Sequence, residues 1–141
     1  MKKILLVNAN YYEKIAEKIV ISTEKILKKE KFSLNLVQVP GILEIPFTIR
    51  KNIKKFDAFI ALGCVIKGNT PHFHFICNAT FNSILELSIS YNKPITNGII
   101  TAFNLKQAKE RCGLIRSNKP NKGEEAARAL ISILKNGTKK I

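Results

Sequence analysis

Short apolar runs alternate with longer amphipathic segments along the whole chain. Four of these runs predict β-strands, which we place at Lys3–Asn8, Phe32–Val39, Asp57–Gly63 and Pro94–Thr101. The third run (DAFIALG) is continuously apolar, which is typical of a strand buried on both faces of a parallel sheet. The pattern therefore predicts a sheet whose centre contains the segment from Asp57 to Gly63.

The segments between the runs have helical spacing. They predict helices at Glu13–Lys29, Leu43–Lys54 and Pro71–Tyr91. Pro46 is compatible with the second helix only near its first turn, because proline has no N–H to donate within a helix. For the third helix we expect Thr70 as the N-cap and Pro71 at the first helical position.

The end of the chain predicts two further helices with capping-box starts. The predicted pairs are Asn104 with Gln107 and Asn121 with Glu124. Gly113 is the expected end of the shorter helix, because glycine favours the left-handed conformation found there. A polar, basic connection, Leu114–Pro120, leads to the last helix.

Strands that alternate with helices predict one α/β domain over residues 1–141. We expect a three-layer αβα architecture with a flavodoxin-like, four-stranded parallel sheet and helices on both faces. Ligands of such sheets bind beyond the carboxyl ends of the strands. This rule selects four segments before any motif is considered: Asn8–Tyr12, Val39–Glu44, Gly63–His72 and Thr101–Asn104.

Composition excludes several classes of protein. The net charge of +14 is compatible with nucleic acid, an acidic partner or a phosphorylated ligand, but the lysines are scattered and lack interleaved aromatic residues. We therefore expect a solvated basic surface and no nucleic-acid partner. No apolar run has the length of a membrane span, and the first apolar run predicts a strand rather than a signal peptide, so we expect a cytoplasmic protein. The three cysteines (Cys64, Cys77 and Cys112) have no metal-binding or disulfide spacing, and we expect buried free thiols and no metal.

The most informative stretch runs from Gly63 to His72. A strand end, a loop with Gly68 and a helix start together form a potential anion site at the helix N-terminus, although an ordinary strand-to-helix turn explains the same residues. The His72 imidazole could transfer protons near neutral pH. His74 lies two positions further along the helix, so its side chain points elsewhere and we expect it to be structural.

Other candidate residues carry weaker signals. Glu44 could accept hydrogen bonds from sugar hydroxyls or simply favour a helix N-terminus. Tyr11 and Tyr12 could stack on a flat heterocycle or be partly buried loop residues. Arg111 and Lys122 could bind phosphate or lie free on the surface. Together these residues suggest a site for a phosphate and a polar ring.

Two segments resemble the lumazine synthase family. Pro40–Pro46 (PGILEIP) resembles the family segment PGAFEIP, and Asp57–His72 (DAFIALGCVIKGNTPH) resembles DAVIALGxVIRGxTxH. Pro94–Thr101, the segment QAKER ending at Arg111, and Asn121–Gly123 match in order and at similar spacing. The resemblance covers essentially the whole chain.

The resemblance implies a condensation without a cofactor. The substrates would be 5-amino-6-ribitylaminouracil and 3,4-dihydroxy-2-butanone 4-phosphate, and phosphate and water would leave. By similarity His72 is the acid/base, and Asn69, Thr70 and Arg111 hold the phosphate. The implied pyrimidine and ribityl contacts are Tyr11, Ile42, Leu43, Glu44, Cys64, Val65, Ile66, Lys122 and, from a neighbouring subunit, Asn97.

Some positions depart from the family pattern. Leu43 and Asn97 replace frequent phenylalanines, so the ring environment is less aromatic. By similarity we expect a homo-oligomer with active sites between subunits. The start at the first strand and the long Leu114–Pro120 connection favour a pentamer or decamer over a sixty-subunit shell. A riboflavin synthase partner is possible, and a non-catalytic module that binds lumazine or flavin is the alternative function.

Overall fold

The computed structural model describes all residues from Met1 to Ile141, and a four-stranded parallel sheet lies at its centre. Its strands are β1 (Lys2–Ala9), β2 (Phe32–Val39), β3 (Ala58–Ile66) and β4 (Ile95–Ala102). Their spatial order is β2-β1-β3-β4, with every neighbouring pair parallel. This is the predicted flavodoxin-like order, in which the chain reverses direction across the sheet after β2.

Helices cover both faces of the sheet. They are α1 (Glu13–Leu27), α2 (Ile45–Lys51), α3 (His72–Tyr91), α4 (Leu105–Cys112) and α5 (Lys122–Lys135). Two separate apolar cores hold the layers together: one lies beneath α1, α4 and α5, and the other lies beneath α2 and α3. The predicted three-layer αβα architecture is therefore confirmed.

Strand β3 explains why the sheet has two cores. Its alternate residues face opposite layers, so that Leu62 packs in the core under α1 while Ala61 and Val65 pack in the core under α3. Every residue of β3 up to Val65 is buried. A strand covered on both faces cannot show polar alternation, and this is the reason for its continuously apolar sequence.

The segment that was predicted as one helix from Leu43 to Lys54 starts as a 3-10 helix and ends earlier than predicted. A 3-10 helix spans Ile42–Glu44, and α2 occupies only Ile45–Lys51. Pro46 lies in the first turn of α2, where its missing N–H removes no helical hydrogen bond. The proline was placed correctly, whereas the single continuous helix was wrong.

The start of α3 also differs from the prediction. The helix begins at His72, its N-cap is Pro71, and no side chain caps it. The Thr70 hydroxyl accepts a long hydrogen bond of 3.4 Å from the His72 N–H. Thr70 is therefore one residue too early to be the predicted N-cap, and it belongs to the loop before the helix.

The predicted caps near the end of the chain are present. Asn104 accepts from the Gln107 N–H at 2.9 Å, and Asn121 accepts from the Glu124 N–H at 3.0 Å. Gly113 ends α4 with φ of 88°, which is the left-handed region that favours glycine. The reciprocal half of the first capping box is shifted, because Gln107 accepts from the N–H of Phe103 instead of that of Asn104.

Candidate active site

The carboxyl ends of β1 and β3 lie side by side, because Asn8 of β1 pairs with Leu62 of β3. A cavity of about 340 Å³ opens beyond them, and most of its lining is apolar. Eight of the residues proposed from the sequence line it together: Tyr11, Ile42, Leu43, Glu44, Cys64, Val65, Ile66 and His72. They come from three of the four segments that the strand-end rule selected.

An exposed aromatic ring forms one wall. Tyr11 follows β1 and is 75% exposed, so its ring is available to a ligand. The ring of Tyr12 meets it edge to face, with centroids 5.0 Å apart and planes at 81°. Tyr12 is half-buried against the core, and such a contact restricts the orientation of its exposed neighbour.

The segment after β2 supplies the opposite wall. The 3-10 helix buries Ile42 in the core under α3, so Leu43 and Glu44 stay at the surface of the cavity. Leu43 is 51% exposed, and Glu44 accepts no hydrogen bond at its carboxylate. The carboxylate is thus available as an acceptor for ligand hydroxyl groups.

Strand β3 forms the floor of the cavity. At Gly63 it leaves little room for a side chain, because an added Cβ would lie 3.0 Å from the Cβ of Ala9 and 3.2 Å from Cγ2 of Ile42. Burial raises the pKa of the Cys64 thiol to about 12. A thiol with such a pKa stays protonated at neutral pH, so Cys64 lines the cavity as a neutral thiol and not as a thiolate nucleophile.

His72 closes the cavity from the side of α3. It is the first residue of that helix, and it follows an exposed loop that includes Gly68, Asn69 and Thr70. Asn69 and Thr70 lie beside the cavity in sequence but do not line it. The Phe73 N–H makes no hydrogen bond within the chain, and together with the helix dipole it favours an anion near this loop.

Three proposed residues lie away from this cavity. Asn97 is in the edge strand β4, where its Oδ1 accepts from the Ile99 N–H at 2.9 Å. Lys122 is the first residue of α5. Arg111 lines a second cavity of about 430 Å³, which also contains His74. In a single copy of the chain none of these three residues lines the cavity that contains His72, and His74 lines the second cavity instead of the first.

Four cavity residues were not predicted from the sequence as ligand contacts, or were left with two interpretations. Ala9, Gly41 and Ile76 complete the lining, and Tyr12 had been left with two interpretations. Ala9 and Gly41 could have been found from the sequence, because both lie in segments that the strand-end rule selected. Ile76 had none, because an apolar helix residue looks the same whether it faces a core or a cavity.

Two further properties concern the chain as a whole. No group of three or more His, Cys, Asp or Glu side chains is arranged to hold a metal ion. None of the helices is long and apolar enough to cross a membrane. What the cavity offers is an aromatic surface, a carboxylate, an imidazole and a neighbouring helix N-terminus.

These features define a class of protein: a flavodoxin-like α/β protein with a cavity suited to a small, flat, polar molecule at the carboxyl ends of its strands. A family model for 6,7-dimethyl-8-ribityllumazine synthase matches residues 1–137. The chain belongs to this family.

Curated proteins of the same name are similar over almost the whole length. The 6,7-dimethyl-8-ribityllumazine synthase of Bartonella tribocorum is 36% identical over 135 residues, which cover 94% of this chain and 89% of that protein. The protein of the same name from Campylobacter jejuni is 35% identical over 137 residues, covering 94% and 87%. That of Vesicomyosocius okutanii is 35% identical over 143 residues, covering 94% and 84%.

Proposed function

We propose that this chain, acting as a single domain over residues 1–141, is an enzyme of riboflavin biosynthesis. It condenses 5-amino-6-(D-ribitylamino)uracil with 3,4-dihydroxy-2-butanone 4-phosphate to form 6,7-dimethyl-8-ribityllumazine, with release of phosphate and water. The observation that carries the proposal is the grouping of Tyr11, Glu44 and His72 around one cavity in a chain of this family. No cofactor is needed, because every step is an addition, an elimination or a proton transfer.

The cavity supports a division of roles. Tyr11 stacks on the pyrimidine, with Ile42, Leu43, Cys64, Val65 and Ile66 around the ring and Glu44 accepting from the ribityl hydroxyls. His72 moves the protons that the imine and the leaving phosphate require. Asn69, Thr70 and Arg111 bind the phosphate. Much of the rate enhancement then comes from holding two reactants together in one site.

The position of the remaining residues supports a site shared between copies of the chain. Asn97, Arg111 and Lys122 do not reach the cavity that holds His72 in one copy. Large apolar side chains on α2 and α3 are exposed, among them Phe47, Phe75 and Ile89 at 71%, 68% and 80%. We propose a pentamer or decamer in which a neighbour supplies these three residues, and we leave a riboflavin synthase as a possible partner.

The direct test mixes the purified protein with both substrates and follows lumazine formation by absorbance and fluorescence. His72→Ala is expected to slow turnover by about 10²–10⁴-fold, the range of acid–base catalysis, while circular dichroism stays unchanged. Lys139→Ala is the control, because Lys139 is exposed and lines neither the cavity that holds His72 nor the one that holds Arg111. Normal turnover in His72→Ala would refute the role of His72. Tight binding of lumazine by an assembled wild-type protein that forms no product would indicate a binding module instead.

A further inference from the structure

Arg111 is held by two contacts from different parts of the chain. Its Nε donates to the Pro120 carbonyl oxygen at 2.7 Å, and its Nη2 donates to Oε1 of Glu125 at 2.8 Å. Arg111 lies on α4, Pro120 ends the connection to α5, and Glu125 lies in the first turn of α5. Three segments of the chain therefore meet on one guanidinium group.

These contacts use only one edge of the guanidinium. The group has five N–H donors in a planar fork, and the Nε–H points the same way as one hydrogen of Nη2. Pro120 and Glu125 accept from Nε and Nη2, the two nitrogens of this side edge. The end edge, formed by Nη1 and the other hydrogen of Nη2, makes no hydrogen bond within the chain. Two parallel donors on that edge suit a bidentate contact with phosphate.

The linings of two neighbouring cavities, which share Lys119, agree with this division. Arg111 lines the cavity of about 430 Å³, which also contains Lys119 and Thr101. Pro120 and Glu125 do not line that cavity but line a different one of about 400 Å³. The two residues that hold the guanidinium therefore lie outside the cavity that Arg111 lines.

We propose that Glu125 and the Pro120 carbonyl position Arg111 so that a phosphate group meets its end edge. Glu125 is then a positioning residue of the reaction, and the Leu114–Pro120 connection is part of the phosphate site. This inference rests on the proposed function, in which Arg111 binds the phosphate of the butanone substrate. A flexible arginine loses several rotamers on binding, and a guanidinium that is already held loses fewer.

Glu125→Ala and Glu125→Gln test the inference. The alanine variant leaves Nη2 without its partner, and the KM for the phosphate substrate is expected to rise about two- to fivefold, the range of a half-exposed ion pair. The KM for the pyrimidine substrate should stay unchanged. Glutamine retains an acceptor oxygen, so Glu125→Gln should keep the wild-type values. Glu124→Gln is the matched control, since Glu124 pairs with Arg128 at 3.1 Å on the adjacent position.

A second measurement separates this inference from the proposed function. The Kd of inorganic phosphate, titrated by calorimetry, should rise in Glu125→Ala by the same factor as the KM, whether or not the protein forms product. A wild-type protein without turnover would therefore overturn the proposed function alone. An unchanged phosphate Kd in Glu125→Ala would overturn the positioning role. So would tighter phosphate binding in Glu125→Gln, which would show that the carboxylate mainly repels the anion.

Discussion

Gly123→Ala is expected to destabilise the fold through the contact between α1 and α5. Gly123 lies in the first turn of α5, next to Lys122, and an added Cβ would lie 2.4 Å from Oγ1 of Thr23. It would also lie 2.9 Å from both Cγ1 and the carbonyl oxygen of Ile19. An ordinary contact begins at 3.4 Å, so the two helices must separate by roughly 1 Å or distort locally.

The neighbours of Gly123 have little freedom to move. Thr23 is completely buried, and its hydroxyl donates to the Ile19 carbonyl at 2.7 Å. Inserting a methyl group into such a packed contact costs about 1–3 kcal/mol. Alanine is a better helix former than glycine by about 1 kcal/mol in a helix interior, but this gain is smaller in the first turn. The expected loss corresponds to a decrease in Tm of roughly 3–12 °C for a chain of this size.

Urea denaturation at fixed protein concentration measures the effect, because assembly makes the transition depend on concentration. Gly137→Ala is the matched control, since a Cβ at Gly137 would have no atom within 4 Å. Its free energy of unfolding should stay within about 0.5 kcal/mol of that of the wild type. A Gly123→Ala protein that unfolds at the same urea concentration as the wild type, with the same m-value, would refute the packing argument.

Three other changes have defined outcomes. Asn121→Ala removes both the cap on the Glu124 N–H and a hydrogen bond to Oγ of Ser22, and should cost about 0.5–2 kcal/mol in urea denaturation; an unchanged midpoint would contradict the cap. Burial raises the pKa of all three cysteine thiols, that of Cys64 to about 12. The protonated thiols therefore stabilise the folded state fully below pH ~8.5, and this stabilisation should be lost as the pH rises from there towards 12. A urea midpoint that does not decrease between pH 8.5 and 11 would count against this. Tyr11→Ala should raise the KM for the pyrimidine substrate by about 5–100-fold, assuming about 1–3 kcal/mol for one stacked ring, while Tyr11→Phe should not; equal values in both variants would exclude stacking.

Much of the fold could be predicted from the sequence because hydrophobic periodicity records which faces are buried. The bounds of β2 were predicted without error, and Ile15, Ile19 and Ile26 of α1 are all buried as their spacing indicated. The caps at Asn104 and Asn121 followed from side-chain chemistry that acts over three residues. Errors occurred where a local signal was ambiguous, as at Thr70, which lies one residue before the actual cap of α3.

Only part of the candidate site could be predicted from the sequence. The strand-end rule selected the segments that contain Tyr11, Glu44 and His72, because the carboxyl ends of parallel strands meet at one edge of the sheet. The roles of these residues came from the family resemblance, and they remain proposals. Ile76 had no signal, since an apolar helix residue gives the same pattern whether it faces a core or a ligand.

The sequence by itself determined the order of strands and helices, the apolar character of β3 and the loops that end near the ligand. Only the tertiary structure decided that Arg111 is held by Pro120 and Glu125, and that it faces a different cavity from His72. The physical reason is the separation along the chain between the residues that interact. Periodicity and capping depend on neighbours within a few residues, whereas the edge that an arginine offers to a ligand depends on segments brought together by the packing of α4 and α5 against the sheet.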